Sequence, residues 1–233
     1  MKLTKLSAAV LAAGMMMGAA AQAEEASGPF TTAGSVAFTS DYLYRGVSQT
    51  SNTAAVQGSL SLSHESGFYA VLWGSSIAFA NGLELDPSIG FAGSAGDLGY
   101  DVGVLQYGYP GASDTLPFTE VYGSLSYKGG KLGLAYSDDF FGETGESIYT
   151  YLSYSTEVSG IGLMAHVGLN TFKDIDDADG YIDYKLAASK ELSGLTFELA
   201  YMGSDLDDDE CTSFGGEASI CDGRAVLTVS KSF

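Results

Sequence analysis

The sequence predicts an all-β protein: an antiparallel up-and-down transmembrane β-barrel of about 12 strands, preceded by a cleavable signal peptide. Three observations lead there. Segments of roughly 9–11 residues alternate apolar and polar side chains with period 2, as tilted membrane-spanning strands do. The links between these segments are alternately long and short. No run of 18 apolar residues occurs beyond the N-terminal stretch, so helical spans, which need about 20, are excluded.

The chain has 233 residues, and the first 23 read as an export signal. Lys2 and Lys5 form a basic region, Leu6 to Gly18 is apolar or small, and Ala21-Gln22-Ala23 fits an A-x-A cleavage pattern. That apolar run is too short to span hydrocarbon as a helix, and Glu24-Glu25 follows at once. The expected mature chain, one barrel domain over residues 24–233, begins at Glu24. Removing two of the ten basic residues and none of the 29 acidic ones takes the formal charge from −19 to −21. Phosphate recognition needs a basic patch, so nucleic acid is excluded as a partner.

The predicted strands follow in order. Val36 and Phe38 begin the first, continuing towards Tyr42 and Tyr44. In the second, Val56, Leu60 and Leu62 oppose Gln57, Ser59, Ser61 and Ser63. The third sets Tyr69, Val71, Trp73, Ile77 and Phe79 against Ala70, Gly74, Ser76 and Ala78. Asn81-Gly82 is a type I′ hairpin signal, and Leu83, Leu85, Ile89 and Phe91 follow. Pro87 removes a ladder donor there, implying a bulge or break.

Leu98, Tyr100, Val102 and Val104 mark the fifth strand; Val121, Leu125 and Tyr127 the sixth; Leu132, Leu134 and Tyr136 the seventh. The eighth, Ile148 to Thr156, is ambiguous because Tyr149 and Tyr151 oppose Leu152 and Tyr154. Ile161 to Leu169, Ile182 to Ala188 and Leu195 to Tyr201 are the next three. The last sets Ala225, Leu227, Val229 and Phe233 against Val226, Thr228, Ser230 and Ser232. Phe233 ending an alternating strand is the expected assembly signal, although Lys231 stands where an apolar residue is usual.

The even-to-odd links (Ser66-Gly67, Gly93–Asp97, Lys128–Gly130, Glu157–Gly160, Lys190–Gly194) are short. The odd-to-even links (Asp41–Thr53, Gly108–Pro117, Asp138–Ser147, Asn170–Gly180, Gly203–Asp222) are long, with Asn81-Gly82 the exception. A soluble sandwich has no reason to sort its loops so.

Ser40-Asp-Tyr-Leu-Tyr-Arg-Gly-Val-Ser-Gln49, Val56-Gln-Gly-Ser-Leu60 and Gly67-Phe-Tyr-Ala-Val-Leu-Trp-Gly-Ser-Ser76 resemble the TorF-type porin family of proteobacteria. The resemblance covers the first third of the mature chain. It implies an outer-membrane barrel of porin activity, and no catalytic residue.

If the apolar parity meets lipid, the polar parity lines the lumen. The candidate pore residues are Asp41, Arg45, Gln57, Glu84, Asp86, Asp101, Glu120, Lys131, His166, Asp183, Lys185, Glu198 and Arg224. Carboxylates outnumber bases among them, which favours cations. The expected function is passive diffusion of small polar solutes or ions with a mild cation preference. A non-conducting structural or binding barrel, its lumen plugged by paired charges, is the alternative.

Cys211 and Cys221, the only cysteines, fall in the last long loop, and in an exported chain such a pair reads as a disulfide. Asp174–Asp179 lacks the acid and closing Glu of a calcium loop, and Asp205–Glu210 lacks ligand spacing, so both read as solvated acidic loops. No cofactor motif occurs. His64-Glu65-Ser66 has the His/Ser spacing of a barrel phospholipase but falls in a short turn, and no enzyme is expected. The expected partners are outer-membrane lipid, the barrel-assembly machinery during insertion, and permeating solutes or ions.

Overall fold

The structure, a computed structural model, describes residues 28–173 and 180–233, without the side chains of 214 and 215. The signal segment and Asp174–Asp179 lie outside the described residues. The chain opens with β1 (Phe30–Thr39), a two-residue pair β2 (Leu43–Tyr44) and β3 (Val47–Ser48), and β4 (Ala55–His64). Then come β5 (Phe68–Ser76), β6 (Leu83–Ala95), β7 (Leu98–Tyr107), β8 (Phe118–Tyr127) and β9 (Gly130–Ser137). After β10 (Ser147–Val158), β11 (Ile161–Phe172), β12 (Tyr181–Leu192) and β13 (Leu195–Ser204), a short helix α1 (Asp208–Gly215) precedes β14 (Arg224–Ser232).

All the strands except β2 and β3 form one closed twelve-stranded antiparallel barrel in sequence order, with β14 returning to β1. Closure removes every sheet edge. At the seam Gly34 and Phe233 exchange backbone hydrogen bonds of 2.8 and 3.0 Å. Phe233 thus extends the closing ladder one residue beyond β14, with its ring over Gly34, where a Cβ would stand 2.6 Å from the ring. Deleting Phe233 is therefore expected to lower the yield of assembled barrel several-fold, read as the heat-modifiable band on unboiled gels. Wild-type levels would remove its role in assembly.

Alternation dictates the rest. Phe38, Leu60, Ile89, Leu152, Leu186 and Leu199 point outward and are more than half exposed, an apolar surface suited to hydrocarbon. At the short-turn end Phe68 packs edge-on against Phe91, which stacks on Tyr100, part of an aromatic girdle. Lys231 shares the outward parity but sits in this rim, where a base costs only about 0–1 kcal/mol. The turns Lys128-Gly129, Ser159-Gly160 and Ser193-Gly194 each have two positive φ values, the type I′ geometry that matches strand twist.

Four sequence expectations are corrected. The first strand does not continue towards Tyr42 and Tyr44; β1 ends at Thr39 and the chain turns into the barrel. The third strand is inverted: Tyr69, Val71 and Trp73 face the lumen, while Phe68 and Leu72 face out. The turn sets this, because Ser63 pairs with Tyr69, opposite residues in an antiparallel ladder share a face, and Ser63 faces in. Asn81-Gly82 is no tight hairpin: β5 stops at Ser76, and Ala80, Asn81 and Gly82 all take positive φ in a longer loop. That link therefore joins the long ones. Last, Asp205–Glu210 is not simply a solvated loop; it starts α1, with Asp207 and Glu210 forming a capping box. Pro87 does interrupt pairing with β7, where the ladder lapses between the Leu85–Gly108 bridge and Ser88, but β6 stays continuous against β5.

Candidate functional site

The site grows from residues 40–54, which connect β1 to β4 and fold into the barrel at its long-loop end. Asp41 organises the segment. Its Oδ1 accepts from the Ser48 and Thr50 hydroxyls at 2.6 and 2.7 Å, and its Oδ2 accepts from Arg224 Nη1 at 2.9 Å. The β2–β3 hairpin pairs Leu43 with Ser48 and Tyr44 with Val47, leaving Arg45-Gly46 as its tip. Both tip residues have positive φ, 45° and 81°. Gly46 is required twice over, because a Cβ there would also lie 2.5 Å from the Gly203 carbonyl oxygen on β13.

Arg45 crosses the lumen. Its guanidinium donates to Glu120 on β8 at 2.6 Å and to Asn170 on β11 at 3.3 Å, and lies 4.0 Å from the ring centroid of Tyr149 on β10. Burial opposes its charge, but the Glu120 carboxylate and the Tyr44, Tyr107 and Tyr149 hydroxyls outweigh that and raise its pKa above the ordinary arginine value.

Two apolar clusters fix the hairpin from either side. Tyr42 packs against Trp73 among Ile77, Tyr107, Tyr109, Phe118 and Phe140. Val47 packs with Tyr181, Ile220 and the Cys211–Cys221 disulfide. The bridge ties the start of α1 to the segment before β14, which places an acidic flap over the mouth. Replacing both cysteines by Ser should remove about 3 kcal/mol or less of loop constraint. The expected result is faster proteolysis within 205–223 with unchanged heat-modifiable migration; unchanged cleavage would leave the bridge without a role in ordering the flap.

Burial grades along the lumen. At the long-loop end the inward Ser75, Glu84, Ser137 and Asn170 are nearly inaccessible, whereas Ser59, Ser61, Ser126 and Ser189 towards the short turns are half-buried. Beneath the hairpin lies a cavity of about 200 Å³. Solvent therefore reaches the lumen from the short-turn end.

The thirteen sequence-selected lumen residues all lie on the inward parity or in the hairpin and mouth, and most of their charges are matched. Besides Arg45–Glu120 and Arg224–Asp41, Lys185 meets Glu198 at 2.6 Å and His166 lies 3.3 Å from Asp183. Asp101 accepts from Tyr69 at 2.7 Å, but no ion pair among the described residues engages it, and its Oδ2 has no hydrogen-bond partner there. Gln57 lines the cavity. Glu84 and Asp86 lie side by side on β6, buried, and no ion pair among the described residues engages either; Glu84 Oε2 has no hydrogen-bond partner there. Among the described residues no cluster of three or more His, Cys, Asp or Glu is arranged to hold a metal.

Sequence reasoning missed the tyrosines. Tyr107, Tyr122, Tyr149 and Tyr151 line the cavity, and Asn170 joins Arg45 to Asp183. Their inward parity could have been read from Glu120 and His166 through the pairings Ser153–His166 and Tyr122–Ala135. His64 Nδ1 meets the Ser66 hydroxyl at 2.7 Å and also accepts from the Ser66 N–H at 3.1 Å, so the pair closes a tight turn.

A family model matches residues 23–233, nearly the whole barrel chain. The chain belongs to the Gcw_chp family. The family is described as bacterial protein of unknown function. No curated protein matches in sequence. Among solved structures, the NanC porin is similar with a TM-score of 0.51 and 11% identity, over 85% of this chain and 97% of that one. An outer membrane channel from Pseudomonas putida F1 scores 0.45 at 13% identity, over 87% and 95%. At these identities the first likeness shows a shared porin-type barrel fold, and the second adds no argument.

Proposed function

We propose that the chain is an outer-membrane channel of porin type, TorF-like in its hairpin sequence, for passive diffusion of small polar solutes or ions. In this reading residues 1–23 are removed on export, the short turns face the periplasm, and the long loops face outward. Insertion would use the barrel-assembly machinery, with Phe233 as part of the signal. The observation that carries the reading is a cavity lined by charged, aromatic and apolar side chains inside a closed, apolar-coated barrel, capped by a hairpin held only through noncovalent contacts. The lumen residues named above line the pathway. The mild cation preference rests on Glu84 and Asp86, adjacent lumen acids that, like Asp101, have no ion-pair partner among the described residues. No step of bond chemistry is needed for this reading, in which His64 and Ser66 serve to close an exposed turn.

The filled long-loop end favours a second reading, a barrel that does not conduct. Planar-bilayer recordings separate the two. Discrete current steps with cation-biased reversal potentials support the channel. Electrical silence of wild-type protein and of hairpin variants alike would leave the structural reading.

A further inference from the structure

The cavity under the hairpin has two unlike walls. On one side, Tyr107, Tyr122, Tyr149 and Tyr151 from β7, β8 and β10 present an aromatic surface. Across the lumen, on β4 and β12–β14, lie Gln57, Thr228 and the Lys185–Glu198 pair. Leu43 and the Arg45-Gly46 tip form the roof.

Three of the four carboxylates around this space have a permanent base as partner. Arg45 is held by Glu120, Lys185 by Glu198, and Asp41 by Arg224, at 2.6, 2.6 and 2.9 Å. Asp183 accepts from Tyr149 and Asn170 and faces His166. A cation or an anion entering here would have to displace a partner from one of these groups or go without a partner of its own. A hydroxylated neutral molecule faces no such cost. Each of its hydroxyls donates and accepts, so neighbouring hydroxyls can bridge the adjacent ammonium and carboxylate of Lys185 and Glu198 while that pair stays intact. Its C–H faces suit the tyrosine wall. A cavity of about 200 Å³ has room for one sugar ring.

We propose that this cavity is a binding site for one uncharged, polyhydroxylated solute of monosaccharide size, entered from the short-turn end. Its transport meaning rests on the channel reading; the binding itself does not. Glu84 and Asp86 do not line the cavity, so an ionic preference set by them is compatible with a neutral occupant below.

The test is isothermal titration calorimetry on the full barrel refolded in a detergent without a sugar headgroup. The probes are glucose, galactose and myo-inositol, against gluconate and glucosamine as charged congeners. Saturable millimolar binding of at least one neutral probe is expected, with the charged congeners roughly tenfold weaker. Tyr151→Leu should weaken binding, and Lys185→Met with Glu198→Met, an apolar replacement of the whole pair, should abolish it while the barrel stays heat-modifiable. Failure of all three neutral probes, or equal binding of the charged ones, overturns the proposal. A barrel that conducts but binds none of them sinks this site and keeps the channel; one that binds glucose but never conducts does the reverse.

Discussion

Arg45→Asn is expected to raise single-channel conductance several-fold, or to turn a mostly closed barrel into a mostly open one. Asn tolerates the left-handed conformation of the hairpin tip, so the turn survives while the clamp is lost. In the native chain Arg45 and Glu120 are both nearly inaccessible and meet at 2.6 Å. Removing one partner of such a buried pair costs about 3–5 kcal/mol, because the other charge is left uncompensated. The cheapest relief for Glu120 is water, and water enters if the hairpin lifts. Gly46→Ala should act in the same direction by a different route, since its Cβ would collide with the Gly203 carbonyl. Glu120→Gln combined with Arg45→Asn removes the stranded charge and should recover part of the closed state. Limited proteolysis within 40–54 gives a second readout, with faster cleavage expected. Wild-type conductance and wild-type cleavage in both single variants would mean that the tyrosine packing alone fixes the hairpin.

The hairpin also marks where sequence reading stops. Strand number, closing strand and outward parity were legible because a lipid-facing side must be apolar on every strand, and twelve short alternations record that demand independently. The exception, β5, misleads for a definite reason. Its larger residues are amphipathic: Tyr69 fills the lumen and bonds to Asp101, and Trp73 fills it against Tyr42, so bulk apolarity points the wrong way. Only the Ser63–Tyr69 pairing fixes the face, and a turn's register is a geometric property that composition does not carry. Residues 40–54 are harder still. Their contacts reach Glu120, Asn170, Gly203 and Arg224, which a period-2 pattern cannot connect. Once they are connected, Asp41, Glu120 and Glu198 are seen to be held by Arg224, Arg45 and Lys185, and the excess of acid is located elsewhere in the lumen.

What remains of that excess predicts selectivity. Neutralising Glu84→Gln and Asp86→Asn together is expected to abolish most of the cation preference, measured as reversal potential under a salt gradient. The two carboxylates sit near the hairpin, and neither meets a base within ion-pair distance among the described residues. Gly108 N–H donates to Asp86 at 3.2 Å, and two adjacent buried carboxylates share a proton at lower cost than they both ionise, so the pair carries at most about one negative charge. The paired acids should matter less: Glu198→Gln frees Lys185 and should shift selectivity by less than the double variant. The exposed acids of the flap, Asp207 to Glu210, add potential at the mouth, but they act within about 8 Å at physiological salt and fade as salt rises. Residual preference at high salt should therefore belong to Glu84 and Asp86. A double variant that keeps its reversal potential at high salt would move the selectivity to the paired charges, and an anion-selective wild type would remove the acid pair from the ion path altogether.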